Sequence, residues 1–324
     1  SMTIRTGYSF KRAYGHLEEV LSRIHEIGLP AAPIADHCST FGFVRWSKLC
    51  KKAGIKPVYG IEIPVSPNIG DKKPIIDNWT FIAKNSLTPL HELIADATSN
   101  PGKDAILNYK QAMAAQGVFK IAGHAARLDH MENQDDLFIG LSPAMNKGFF
   151  RQASEAGFSF VARSDNYYPR ASDKELYRAI LGKRSNTQTY PQWILTDNEW
   201  HEALNWIPFD ERWNAIALSI DLLRASNAEL IKAENLKPKE EFSLRAICEE
   251  GAKILGIDLN NQVYAARLDR ELDLIEKKGF DDYIYIIADL VAWAKKRMVV
   301  GSARGSSCGS LVCYLTGITT IDPI

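Results

Sequence analysis

The sequence predicts an α/β protein, a barrel of repeated strand-helix units followed by a mostly helical region. Two observations carry this. From residue 3 to about 165, seven short apolar segments alternate with helix-like stretches; past residue 170 the strand pattern fades and amphipathic runs take over. The expected strands are residues 3–7, 31–35, 57–65, 79–83, 118–123, 137–141 and 158–163. Seven strands in one compact stretch favour a closed, mostly parallel barrel over an open sheet, and a barrel gathers the side chains at its strand ends into one mouth.

Each element has a local reason. Between the first two strands, "GHLEEVLSRIHEIG" places Leu17, Val20, Leu21 and Ile24 on one face at helical spacing and stops at Gly28. "GFVRWSKLCKKAG" repeats the plan and ends at Gly54. Later, "TDNEWHEAL" offers Thr196 or Asp197 as an N-cap with Glu199 following. Residues 237–241, a polar Lys-Pro-Lys-Glu-Glu stretch, suggest a boundary, placed at 235/236, between the barrel region 1–235 and a second region 236–324. In that second region an amphipathic helix, a Gly-Phe turn, a longer apolar helix over 283–296 and a Val-rich strand at Val299 and Val300 lead to the loop "GSARGSSCGS".

Composition narrows the possibilities. The 324 residues carry 39 basic and 39 acidic side chains, so net charge points to no polyanionic partner, and any nucleic-acid site must be local. No run approaches the ~18 apolar residues a membrane span needs. Five cysteines without a CxxC pair argue for a reducing, cytoplasmic setting. The leading Ser-Met reads as an addition ahead of the native start, outside the fold. The scattered tryptophans Trp193, Trp200, Trp206, Trp213 and Trp293 read as core packing, and short basic clusters such as Lys51 and Lys52 as solvated faces.

Polar residues recur along the predicted strands: Asp36 and His37 after the second, Glu62 in the third, His124 after the fifth, Asp165 after the seventh. Imidazoles and carboxylates collected at one mouth suit metal-assisted phosphoester hydrolysis, in which cations hold the phosphate and generate hydroxide. Taken one at a time, each reads more simply as a cap, a turn residue or an ion-pair partner, since no tight motif such as HExxH is present; it is their joint placement that points to a metal site. The glycine loop carries a similar ambiguity, being neither GxxxxGK[ST] nor GxGxxG. A strand before it and the helix-compatible "LVCYLTGI" after it favour an anion cradle over a flexible linker.

"LPAAPIADHCSTFGFVRWSKLCKKAGIKPVYGIEIPVSP", with "TFIAKNSLTPLHELI", "GVFKIAGH" and "FSFVARSDNYYP" following in order, resembles the polymerase and histidinol phosphatase (PHP) domain that opens the DNA polymerase III alpha-subunit family of bacterial family C replicative polymerases. "RLDRELDLIEKKGFDDYIYIIADLVAWAKK" through "VGSARGSSCGSLVCYLTGITTIDPI" is similar to the opening of that family's palm domain. The resemblance implies a (β/α)7-type PHP barrel. It also implies a loop, Arg304, Gly305, Ser306, Gly309 and Ser310, that holds the triphosphate of an incoming deoxynucleotide, although Ser302 and Ala303 stand where the family has Pro-Gly.

At the PHP metal positions the sequence departs from the family. Thr3 and Arg5 replace a His-x-His pair ahead of Tyr8-Ser9, Arg12 and Ala13 replace Asp-Gly, Thr98 replaces a His, and Tyr167 replaces the His after the last Asp. His37, Glu62, His124 and Asp165 remain. A guanidinium is always charged and repels a divalent ion while pairing with an acid, so the degenerate site Arg5, Arg12, His37, Glu62, His124 and Asp165 is expected to hold no metal, with Arg5 or Arg12 in a buried ion pair. Such a barrel serves as scaffold and docking surface. The implied partners are DNA and deoxynucleoside triphosphates for the intact polymerase and a proofreading exonuclease or another replisome protein; the implied cofactor of the intact enzyme is Mg²⁺ on three palm aspartates. Those aspartates lie beyond Ile324 in the family, so this stretch is expected not to extend a primer by itself. The alternative is a free-standing metal-dependent PHP phosphoesterase or 3′–5′ exonuclease.

Overall fold

A computed structural model describes all residues except 1, 72–73, 101–104, 183–187, 235 and 303–304. The chain divides into two compact units, Ser1–Ile231 and Lys232–Ile324.

In the first unit the described strands are β1 (Ala32–His37), β2 (Pro57–Ser66), β3 (Asp77–Ala83), β4 (Leu107–Asn108), β5 (Val118–Ala122), β6 (Leu137–Leu141) and β7 (Phe160–Ala162). They hydrogen-bond in the order β1-β2-β3-β5-β6-β7, with β4 added to the end of β2. β2 runs parallel to β1, and β5, β6 and β7 run parallel to one another, whereas β3 is antiparallel to both its neighbours. The sheet is therefore more mixed than repeated β-α units suggest, because β2 passes to β3 without an intervening helix.

The expected first strand is reduced to one bridge, Ile4 to Asn166, yet it does a strand's work. The Ala35 amide donates to the Ile4 carbonyl at 2.7 Å, so this segment lies between β1 and the chain leaving β7 and curls the sheet toward closure. Met2, set aside from sequence as an addition, is fully buried and packs with Val58, Ile82, Ile121 and Val161.

Helices cover the sheet: α1 (Leu17–Glu26), α2 (Phe43–Ala53), α3 (Thr88–Ser99), α4 (Tyr109–Ala114), α5 (Lys147–Glu155), α6 (Lys174–Leu181), α7 (Asp197–Ala203) and α8 (Phe209–Ala225). The α1 face predicted from spacing, Leu17, Val20, Leu21 and Ile24, is the buried one. Thr196 caps α7, accepting the Glu199 amide while Glu199 reaches back to the Thr196 amide. α8 lies against β7, where the Ser219 hydroxyl accepts the Ala162 amide at 2.8 Å.

The second unit holds α9 (Leu244–Leu255), α10 (Gln262–Lys278), α11 (Asp281–Lys295) and α12 (Leu311–Leu315). Leu244, Cys248, Ala252, Leu268, Leu272, Leu311, Val312 and Leu315 form its core. α11 contributes no fully buried residue and leaves Trp293 half exposed, so Trp293, like Trp213 on α8, is not the core residue that composition suggests. The strand expected at Val299 and Val300 is absent: Val299 is fully exposed, and among the described residues this unit has no strand to pair with it.

Candidate functional site: the barrel mouth and the glycine loop

Strand register assembles the mouth. His37, the last residue of β1, sits opposite Glu62 on β2, which sits opposite Thr80 on β3. Thr3 and Arg5, two residues apart on the closing segment, share the inward face: the Thr3 and Thr80 hydroxyls are 2.8 Å apart, and Arg5 reaches Glu62. Past β7 the same alternation turns Arg163 and Asp165 inward.

Arg5 is the centre of this arrangement. It is 1% exposed, and its Nε donates to Glu62 Oε1 at 3.0 Å while Nη2 forms a close ion pair with Glu62 Oε2. Nη1 donates to the Asn166 carbonyl at 3.1 Å, Nη2 lies 3.7 Å from Asp165, and the Tyr167 ring stacks 4.5 Å from the guanidinium carbon. A second guanidinium, Arg163, stands on the other side. Its Nη2 is 3.5 Å from Glu62, its Nε is 3.3 Å from Asp165, and Nη1 donates to the Asn78 carbonyl at 2.9 Å. The two acids thus sit between two permanent cations, with Arg5 holding both oxygens of Glu62.

The electrostatics follow. Burial disfavours Glu62's charge, but Arg5 and the hydrogen bond to His37 outweigh it and hold the carboxyl below its usual range. Asp165 is likewise held down against burial by Arg163, Arg5 and His124. Burial works against Arg5's charge too, yet Glu62 and Asp165 raise it further. Burial, helped by Arg163, lowers the His124 imidazole, which sits 3.6 Å from Asp165.

Two further acids support the rim. Asp36 accepts from the Thr6 amide (2.7 Å), the Thr6 hydroxyl (2.8 Å) and the Ser9 hydroxyl (2.6 Å), so it ties the closing segment to β1. Asp77 accepts from the Gly123 amide at 2.7 Å and the Ala125 amide at 3.2 Å, and burial lifts its carboxyl to about 6 against the pull of Arg163. Asp77 therefore holds the turn that carries His124. Gly123 is required there, since a Cβ would collide with the Asp77 carboxylate.

Of the residues expected at the mouth, Arg5, His37, Glu62, His124 and Asp165 converge, and Tyr167 lies beneath Arg5. Arg12 does not: its amide closes a turn onto the Ser9 carbonyl and its side chain faces solvent. Thr98 is also elsewhere, exposed near the end of α3 and bonded to the Ile94 carbonyl. Arg163 and Asp77 were missed from sequence. The i, i+2 spacing of Arg163 and Asp165 after an apolar strand was a usable signal for the first; nothing local marked Asp77.

The resemblance to PHP barrels raises the question of a divalent metal, and the side chains present do not fit one. The space between Glu62 and Asp165 is taken by Arg5 and Arg163, which supply no lone pair, and among the described residues no three His, Cys, Asp or Glu side chains form a metal-sized cluster.

In the second unit, Gly305–Gly309 forms a short 3₁₀ turn, and Ser310 caps α12 by accepting the Cys313 amide at 3.1 Å. Arg304 lies outside the described residues. Ser306, Gly309 and Ser310 line a cleft of about 600 Å³ with Arg267, Arg270 and Lys277 of α10. The donors at the start of α12 are engaged within the chain: Glu271 accepts from the Ser310 hydroxyl (2.8 Å) and from the Leu311 and Val312 amides (3.1 Å each), and is itself paired with Arg267. A carboxylate thus holds the position where the sequence suggests a phosphate.

With this geometry in hand, comparison with known proteins defines the class: residues 1–189 match the PHP domain family, and the chain belongs to it. Residues 242–324 match the family described as the bacterial DNA polymerase III alpha NTPase domain. The whole chain is similar to DNA polymerase III subunit alpha of Staphylococcus aureus strain MRSA252, at 25% identity over 346 residues and 30% of that protein's length. It is also similar to the subunit of Bacillus subtilis strain 168, at 24% identity over 368 residues and 32% of its length. The chain therefore spans about a third of the length of these relatives. A solved structure titled a putative metal-dependent phosphoesterase, from Bifidobacterium adolescentis, aligns at a TM-score of 0.32 with 10% identity, over 56% of this chain and 82% of that one. So slight a likeness carries no argument.

Proposed function

We propose that these residues are the N-terminal part of a family C replicative DNA polymerase whose PHP barrel is a metal-free scaffold. The observation that carries the metal-free reading is the position of Arg5: a fully charged, nearly inaccessible guanidinium paired with Glu62 and flanked by Asp165, with Arg163 completing the lattice. Displacing it to admit a dication would bury both cationic species beside the same acids or force an arginine out of its partners, and breaking a buried pair costs about 3–5 kcal/mol. The mouth therefore fixes the closing segment, β2 and the chain after β7 to one another, and performs no hydrolysis.

In the second unit, Gly305, Ser306, Gly309 and Ser310, with Arg304, are the proposed contacts to the triphosphate of an incoming deoxynucleotide. Arg267, Arg270 and Lys277 line the same cleft beside the acids Glu271 and Asp273, so a triphosphate there would take the place of Glu271 at Ser310 and free Arg267 to meet it. The intact polymerase would use Mg²⁺, DNA and deoxynucleotides, with a proofreading exonuclease or another replisome protein docked on the barrel. These 324 residues alone would not extend a primer.

Equilibrium dialysis of the purified chain against Zn²⁺ or Mn²⁺, followed by elemental analysis and a phosphomonoester and 3′-ended single-strand cleavage assay, tests the scaffold reading. Stoichiometry well below one ion per chain and no cleavage are expected. One bound ion with cleavage abolished by Glu62→Gln would establish the hydrolase instead.

A further inference from the structure

The loop before α1 and the exposed side of α2 form a surface that neither the mouth nor the glycine loop explains. The loop is rigidly mounted. Its ends meet through the Gly7 amide and the Gly15 carbonyl at 2.8 Å, and the Tyr14 amide donates to the Tyr167 carbonyl at 2.7 Å. Ser9 is clamped from below, donating to Asp36 and accepting the His37 amide at 3.0 Å. Lys11 adopts a left-handed conformation, φ 57°, that side-chain-bearing residues seldom take. The result is that Phe10, Lys11 and Arg12 are presented outward on a fixed arch.

Phe10 is 61% exposed and Phe41, just ahead of α2, is 74% exposed. Their ring centroids are 6.3 Å apart, and Tyr8 continues the row 6.2 Å from Phe10. The Tyr8 ring is seated against Gly42, where a Cβ would meet it at 3.1 Å, which couples the arch to the start of α2. From there Arg45, Lys48, Lys51 and Lys52 follow along the solvent side of α2, all exposed. With Lys11 and Arg12 that is six exposed cations on one connected surface of a chain whose net charge is zero. Residues 37–61 contain no Asp or Glu at all, nor do residues 3–17. The acids that approach from neighbouring elements are Glu18 of α1, which pairs with Arg45 at 2.5 Å, and Glu229, which lines a cleft with Lys51.

From this juxtaposition we propose that the arch and α2 bind single-stranded nucleic acid, with bases on Phe10 and Phe41 and the phosphate backbone running along Lys48, Lys51 and Lys52. Aromatic faces exposed next to a row of cations match a strand whose bases are free to stack and whose phosphates recur regularly. A duplex buries its bases and would leave the two phenylalanines unused. A protein partner bound through the aromatics would not need a cationic row extending about 10 Å along α2, from Arg45 to Lys52, at ~1.5 Å per residue. The inference stands on this surface alone and does not depend on the polymerase reading.

The test is fluorescence anisotropy of a labelled 20-residue oligo(dT) with the full 324-residue chain, titrated between 20 and 200 mM salt, with the matching duplex as comparison. Binding is expected to favour the single strand. Phe10→Ala with Phe41→Ala should weaken it about thirtyfold or more without changing the salt slope, since two stacked bases are lost at ~1–3 kcal/mol each. Lys48→Glu, Lys51→Glu and Lys52→Glu together should weaken it more and flatten the log–log salt slope by about 2, at ~0.7 for each phosphate no longer neutralised. All five positions are exposed, and unchanged thermal unfolding of both variants secures the comparison. Absence of binding at 20 mM salt, equal affinity for duplex, or binding indifferent to both variants would overturn the proposal; the first of these would leave the patch to a protein partner.

Discussion

Replacing Arg5 with Met removes the central cation while keeping a side chain of similar length. Glu62, 2% exposed, would then keep only His37 Nδ1 at 3.1 Å and the Arg163 guanidinium at 3.5 Å. Removing one partner of a buried pair costs about 3–5 kcal/mol, and the remaining cation places this case near the lower end, at about 3 kcal/mol. For a unit of this size, that corresponds to a fall of about 6–12 °C in melting temperature. The pH dependence gives a sharper signature. In the wild type Glu62 titrates below its usual range, so its contribution is present above the unfolded value of about 4.3 and is lost as the pH falls through the folded value. In Arg5→Met the buried carboxyl, having lost its main cation, titrates higher, so the deficit relative to wild type should shrink between pH 8 and pH 5. Adding Glu62→Gln should recover part of the loss, because no uncompensated charge is then buried. The assay is thermal unfolding followed by circular dichroism at both pH values. A loss under about 1 kcal/mol, or one equal at pH 5 and pH 8, would mean that Arg5 does not hold the Glu62 charge in place.

Asp77, lifted to about 6 by burial, binds protons more tightly folded than unfolded. Its contribution to stability is therefore full below about 3.9 and fades as the pH rises through 6, and Asp77→Asn should remove that component from the pH–stability curve. Gly251→Ala would drive a Cβ into the Leu315 carbonyl, where backbone cannot yield cheaply; a loss of at least about 1–3 kcal/mol, read as faster proteolysis of the second unit, is expected. Glu271→Gln should weaken the start of α12, because one carboxylate there serves the Ser310 hydroxyl and two amides; faster amide hydrogen exchange at Leu311 and Val312 would report it. Primer extension with the purified 324 residues and Mg²⁺ should give no product above background.

Periodicity made much of the scaffold legible. The α1 face, the β2 run, the strand-end placement of His37 and the inward position of Glu62 within β2 follow from local pattern, because amphipathic spacing and strand alternation are properties of short segments. The missing pieces are those decided by partners distant in sequence. Residues 3–7 carry a strand pattern, but only Ile4 makes a bridge, while the same segment buries Met2 and brings Arg5 to Glu62, 57 positions away. Arg5 and Arg12 look alike as replacements for metal ligands; a turn closing on the Ser9 carbonyl sends one to solvent, and no propensity announces it. Arg163, Asp77 and the Glu271 bond to α12 depend on tertiary register in the same way. Lys51 and Lys52, a solvated face when judged by their sequence neighbours, gain meaning only when the loop at Phe10 is folded beside α2.

Two guanidinium groups, Arg5 and Arg163, take up the space between Glu62 and Asp165 at the mouth, and the proposed scaffold role rests on that. Crystals of the purified chain soaked in Mn²⁺, with anomalous difference density calculated around Glu62 and Asp165, put that statement to a single measurement. The map should show no peak there and Arg5 paired with Glu62; a strong peak between the two acids, with Arg5 turned away, would be incompatible with a metal-free mouth.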